Sequence, residues 1–189
     1  MKVIGISGSP KLKGFTNRLL ARAIEGAKSQ GADIDTIMLN ELEFDPCQEC
    51  LGCGDTGECV VPDDMKPLYE KILSADGLII ASPIYFGTVS AQLKMMIDRL
   101  SCLWTAKFVL KKDITGSRAR SGAFICVAGE DRIEYFDSAK KVIKNMFATI
   151  NVKYKDELFV GGLNHLAADS PKREDAAGRA FRLGASLIK

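Results

Sequence analysis

Residues 2–31 read KVIGISGSPKLKGFTNRLLARAIEGAKSQG, and their order decides the fold. Lys2–Ser7 is a short apolar run with branched side chains, the pattern of a strand buried on both faces. Gly8–Phe15 is a loop of Gly, Ser and Lys. From about Thr16 onward, Leu19, Leu20, Ala23, Ile24 and Ala27 recur on one helical face until Gly31 stops the pattern. A strand, a loop and a helix in that order make the first unit of a parallel sheet.

The unit recurs along the chain. Ile34–Leu39, Gly77–Ala81 (GLIIA), Ala123–Ala128 (AFICVA) and Val152–Val160 read as further strands. Helical patterns cover Met65–Ser74, Ser90 to about Trp104, about Arg132–Thr149, and the stretch from about Lys172 to the end. In the last, Ala176, Ala177, Ala180, Phe181, Leu183 and Leu187 point inward. The expectation is an α/β protein, a doubly wound five-stranded parallel sheet with helices on both faces. No repeat or boundary divides the chain, so residues 1–189 are expected to form one domain with a long connection at 40–62.

Composition narrows the function. A chain of 189 residues can bury about 70% of its unfolded surface, enough for a real core. Hydrophobic residues are 47%, charged residues 26%, and the formal net charge is +2. That balance points to no nucleic acid and no anionic membrane. No stretch reaches the ~18 apolar residues of a spanning helix. The first apolar run ends at Ser7, too soon for a secretory signal. The expected location is therefore the cytoplasm. Six cysteines there suggest metal or redox work rather than a disulfide framework.

Ligands of such sheets bind beyond the carboxyl ends of the strands, where strand order reverses. The loop after the first strand lacks both G-x-G-x-x-G and G-x-x-x-x-G-K-[ST], so neither a dinucleotide fingerprint nor an NTPase loop is supported. It does offer hydroxyls at Ser7, Ser9 and Thr16, the Asn17 amide, and backbone N–H groups at a helix start. Lys11 and Lys13 add positive charge. Those are the parts of a phosphate site. The plain alternative is a capped turn with Thr16 or Asn17 as N-cap. The loop Ser82–Thr88 carries Tyr85 and Phe86, which suit a flat ring, and Gly87, which lets backbone come close. Its plain alternative is that the aromatics cap the core or a subunit interface. The loop from Ala128 and Gly129 to Asp131 is small enough for a ring to lie against.

Residues 8–20, GSPKLKGFTNRLL, followed by residues 81–99, ASPIYFGTVSAQLKMMIDR, resemble the NADPH-dependent FMN reductase superfamily over most of the chain. The resemblance implies a flavodoxin-like fold and FMN. It sets Ser9, Lys11, Thr16 and Asn17 near the phosphate, with Ser7, Pro10 and Gly14 in the same loop. It sets Pro83, Ile84, Tyr85, Phe86 and Gly87 around the isoalloxazine; Ala128 and Gly129 are added as cofactor-binding candidates from the reading of the third loop alone.

The spacing Cys47-x2-Cys50-x2-Cys53-x5-Cys59 lets three thiols wrap one small inorganic centre and a fourth complete it. Four thiolates suit a [4Fe–4S] cluster or Zn²⁺; free thiols or a disulfide are the other readings. In ferredoxin runs the fourth cysteine precedes Pro and serves a second cluster. Here Cys59 precedes Val60 and no second set exists. The motif, between the second strand and second helix, resembles the iron–sulfur flavoprotein subgroup of the same superfamily. Cys102 and Cys126 read as buried structural thiols. His165 reads as a surface residue, and Trp104 as packing or an interface. Lys94, Asp98 and Arg99 read as one solvated helix face, and residues 105–120 as a basic connection.

These readings converge on a flavin-dependent oxidoreductase with FMN and a [4Fe–4S] cluster. It would pass electrons between a low-potential carrier, ferredoxin or one like it, and an acceptor. No acid or base residue is nominated, because electron transfer needs none. The resemblance implies the carrier and also a homodimer or homotetramer in which cluster and flavin meet across a subunit contact. The alternative is an FMN-dependent NAD(P)H reductase of quinones or other small oxidants with a structural or zinc-binding cysteine loop. A zinc-bound interaction protein without flavin is the third reading.

Overall fold

The computed structural model describes residues 1–188, so Lys189, which the last helical pattern includes, lies outside the described residues. The strands are β1 (Lys2–Ser7), β2 (Asp33–Met38), β3 (Gly77–Tyr85), β4 (Thr88–Val89), β5 (Ser121–Val127) and β6 (Lys153–Val160). The helices are α1 (Phe15–Ser29), α2 (Met65–Ser74), α3 (Ala91–Arg99), α4 (Ser101–Trp104), α5 (Ile133–Thr149) and α6 (Pro171–Leu187). Five parallel strands stand in the order β2-β1-β3-β5-β6, and the two-residue β4 turns back antiparallel on β3. Order reverses between β1 and β3, which both sit at the centre, and that is where an open α/β sheet forms its crevice.

Alternation along the strands builds two cores. Ile4, Ile6, Leu78, Ile80, Phe124 and Cys126 face α2, α3 and α5. Val3, Ile79, Ala81, Ala123, Ile125 and Val127 face α1 and α6. Both faces of the central strands are therefore apolar, as burial between two helical layers requires. Helices α1 and α6 cross at glycines. A Cβ on Gly26 would lie 2.0 Å from the Phe181 carbonyl oxygen, and one on Gly184 would lie 1.7 Å from that of Ala23.

The structure corrects several expectations. β3 does not end at Ala81 but runs through Ser82–Tyr85, read above as loop. Pairing with β1 stops at Ala81, so Pro83 sits where the strand is bonded on one side only, a place that tolerates its missing N–H. Helix α1 starts at Phe15 with Gly14 as N-cap, so neither Thr16 nor Asn17 caps it. Lys94 and Asp98 do form an exposed pair at 2.8 Å, but Arg99 is only 2% exposed. Residues 105–109 form a π-helical turn instead of open connection. Within the rest, Arg120 is buried and donates to the carbonyls of Ile72, Ala75 and Ile150. Arg118 donates to those of Leu73 and Ser74. Carbonyls left over at the end of a helix need donors, and these two arginines supply them to α2 and the residue after α5. Among the described residues no helix is long and apolar enough to cross a membrane.

Candidate functional site

Three segments meet at the carboxyl ends of β1, β3 and β5. The first loop is tied down by the Gly8 N–H to Ala81 O (2.8 Å) and by Ser90 Oγ to Gly8 O (2.5 Å). A Cβ on Gly8 would lie 2.6 Å from that of Leu93, so the loop lies tight against the start of α3. Ser7 Oγ donates to Asn17 Oδ1 and accepts from the Ser9 N–H at 3.1 Å. The Ser9 hydroxyl accepts from the Lys11 N–H at 3.3 Å. Asn17 Nδ2 donates to the carbonyls of Lys11 (3.2 Å) and Leu12 (3.0 Å). The loop's carbonyls are thus turned inward onto Asn17. Ser7, Ser9, Thr16 and Asn17 are buried, Pro10 is half-buried, and Lys11 and Lys13 are exposed. Helix α1 has no side-chain cap and no acidic residue in its first turn. Its first N–H groups have no intrahelical acceptor, so the loop presents donors and positive charge to an anion.

The second segment is a two-residue hairpin. Ile84 pairs with Val89 and Tyr85 with Thr88. Phe86 (φ 48°) and Gly87 (φ 81°) form the turn, and two positive φ values are what a type I′ turn needs. A bulky residue in that region is strained, and here its ring is fully exposed. The third segment is anchored by Leu163 N–H to Ala128 O and Asn164 N–H to Gly129 O. Ile84–Gly87, Ala128 and Gly129 line one cavity of about 320 Å³ with Tyr135 and Asn164. Pro83 stays in the strand beneath and does not line it. Tyr135 and Asn164 escaped the sequence reading, because neither sits in a loop directly after a strand that faces the crevice.

The four cysteines of the motif occupy a chain stretch of irregular backbone between the 3₁₀ turn Leu39–Glu41 and α2. Its two ends are clasped by Glu43 N–H to Asp64 Oδ2 (2.7 Å) and Asp64 N–H to Glu43 O (3.3 Å). Glu49 (φ 52°) and Leu51 (φ 59°) are left-handed on either side of Cys50, a double strain of the kind that marks functional segments. Cys47, Cys50, Cys53 and Cys59 all line a single cavity of about 420 Å³, beside Arg99 and Cys102. All four are free thiols. Among the described residues, no three His, Cys, Asp or Glu side chains stand close enough to hold a single metal ion.

Arg99 was missed as a site residue. Its guanidinium donates to Asp63 through Nη1 (2.5 Å) and Nη2 (3.0 Å), to the Asp45 carbonyl (2.8 Å) and to Cys59 Sγ (3.3 Å). Burial alone would raise the Cys59 thiol. The Val61 backbone, the Tyr69 hydroxyl and Arg99 outweigh it and hold the thiol below its ordinary value. Burial likewise works against the Asp63 carboxylate, and the Arg99 fork overcomes it, so Asp63 is held below its ordinary value. Cys102 is buried as expected and is pushed up to about 11 by that burial, so it is a thiol at neutral pH. Cys126 lies inside β5, its thiol also raised by burial. His165 is exposed.

A model of the NADPH-dependent FMN reductase family matches residues 1–152. An iron–sulfur flavoprotein of Methanosarcina thermophila is 39% identical over 123 residues, which are 65% of this chain and 64% of that protein. Another, from Methanocaldococcus jannaschii, is 46% identical over 99 residues, 52% of this chain and 51% of that one. The chain thus spans between half and two thirds of these relatives' length. An NAD(P)H:quinone oxidoreductase from Methanothermobacter marburgensis superposes with a TM-score of 0.79 at 23% identity, over 100% of this chain and 96% of that one, which shows a shared fold.

Proposed function

The chain belongs to the NADPH-dependent FMN reductase family, and from that premise we propose that it is an FMN-dependent oxidoreductase whose four-cysteine loop holds a [4Fe–4S] cluster. It passes electrons between a low-potential, ferredoxin-like carrier and an acceptor. One observation carries the reading: Cys47, Cys50, Cys53 and Cys59 line one cavity of about 420 Å³, wider than a single zinc ion needs. Thiolates in fours suit the iron–sulfur group. FMN takes electrons in pairs and releases them singly, and the cluster carries them one at a time.

The residues present fit FMN as well. The uncapped start of α1, Ser9, Lys11 and Thr16 take the phosphate, and Ser7 and Asn17 hold the loop in shape for it. The cavity over Gly87 and Gly129 takes the ring, with Tyr85 and Phe86 as an apolar wall and backbone groups reading its edge. The two cavities share no lining residue. Helix α3 starts at the first loop and ends at Arg99, so within one chain its length of about 14 Å separates the phosphate loop from the cysteines. A second copy would bring a cluster close to a flavin, and exposed Leu51, Val60 and Trp104 offer apolar surface for it. We therefore also propose a homodimer or larger assembly.

The test is anaerobic mixing with a reduced ferredoxin, following the flavin absorbance. Rapid bleaching is expected, slowed at least about tenfold in C50S with FMN content unchanged. A second reading is favoured by the NADPH-dependent character of the matched family: reduction of quinones or other small oxidants by NAD(P)H. Fast bleaching by NAD(P)H that C50S leaves untouched would contradict the first reading and support this one.

A further inference from the structure

The potential of a thiolate-bound centre depends on hydrogen bonds to its sulfurs and on nearby charge, because both favour the more negative, reduced state. Arg99 supplies both to one of the four cysteines. Its Nη2 lies 3.3 Å from Cys59 Sγ. Its side chain is buried in the wall of the cysteine cavity, where water screens it little. Asp63 and the Asp45 carbonyl take three of the five guanidinium N–H groups and already pin the loop. Here one N–H is directed at sulfur as well, and Nε is buried without a partner among the described residues, which leaves a further donor beside the cavity. Asp63 grips both terminal nitrogens, fixing the plane of the fork and offsetting part of its charge.

We infer that Arg99 is the residue that sets the reduction potential of the centre held by Cys47, Cys50, Cys53 and Cys59. It does so through the Nη2–H···Sγ bond to Cys59, with Asp63 moderating its charge. This inference rests on the iron–sulfur reading above. Arg99 is a positioning residue: it acts through Cys59 and touches no substrate in this reading.

The experiment is a spectroscopically monitored redox titration of anaerobically reconstituted wild type, R99Q, R99K and D63N, with iron and sulfide measured on each. In R99Q the reduced-to-oxidised ratio at a fixed poise should fall about tenfold, which for one electron is about 59 mV more negative. R99K keeps the charge without the fork and should shift less in the same direction. D63N leaves the guanidinium charge unopposed and should shift the other way. Loss of loop structure alone would not give opposite signs. Iron-replete variants that all match the wild type, or R99Q and D63N shifting in the same direction, would overturn the inference. If R99Q does not fold, the contrast in sign between R99K and D63N decides in the same way. A wild type that takes up no iron and sulfide would instead overturn the iron–sulfur reading and this inference with it.

Discussion

Arg99, at the end of α3, ties the cysteine loop to that helix through Asp63 and the Asp45 carbonyl. Asp63 is held below its ordinary 3.8 by the Arg99 fork. As pH falls, protons therefore bind the unfolded chain before the folded one. The stabilisation from this pair is complete above about pH 4 and is lost as pH falls through the depressed value. D63N should cost about 3 kcal/mol at pH 7, because it leaves Arg99 charged and buried without its partner. Urea denaturation at several pH values should show the gap between D63N and wild type closing below about pH 4. A gap that does not change with pH would contradict the account. At the other site, N17A frees the Lys11 and Leu12 carbonyls and should weaken FMN binding at least about tenfold, measured by titrating apoprotein with FMN. The sequence put Asn17 in the loop expected to hold a phosphate, and the structure shows its amide bracing that loop's carbonyls. Arg99 was not legible. It follows Asp98 on the same helix, and a charge is normally assigned to solvent because burying it is expensive. The partners that make burial tolerable, Asp63 and Cys59, lie 36 and 40 residues away.

At the scale of elements, the helix pair α1 and α6 depends on close approach. G184A sets a methyl group against the Ala23 carbonyl and should destabilise by about 3 kcal/mol, read from the denaturation midpoint at unchanged slope. R120M removes donors from three buried carbonyls and should cost about as much. Near-wild-type stability in either would contradict the packing described. The alternation of strands and helices was plain in the sequence, since each strand is a short apolar run and each helix a 3.6-residue pattern. What pattern could not show was the extension of β3. Its Ser82-Pro83 and Phe86-Gly87 pairs are turn signals locally, and only the continued pairing with β5 overrides the first. The burial of Arg120, and the carbonyl partners of the exposed Arg118, were hidden for a similar reason. A run of basic residues reads as solvated unless the carbonyls it meets, on α2 and after α5, are known.

For the whole molecule, the sheet order puts β1 and β3 side by side at the point of reversal, and the segments proposed to hold FMN follow from that placement. The cysteine loop lies at the far end of α3. The most direct test is the iron, sulfide, zinc and flavin content of protein purified without oxygen, taken with its visible spectrum. About four irons and four sulfides per chain alongside FMN, with broad absorption beneath the flavin bands, is the expected result. A clean flavin spectrum with zinc, or with no metal, would contradict it and leave the cysteines a structural role.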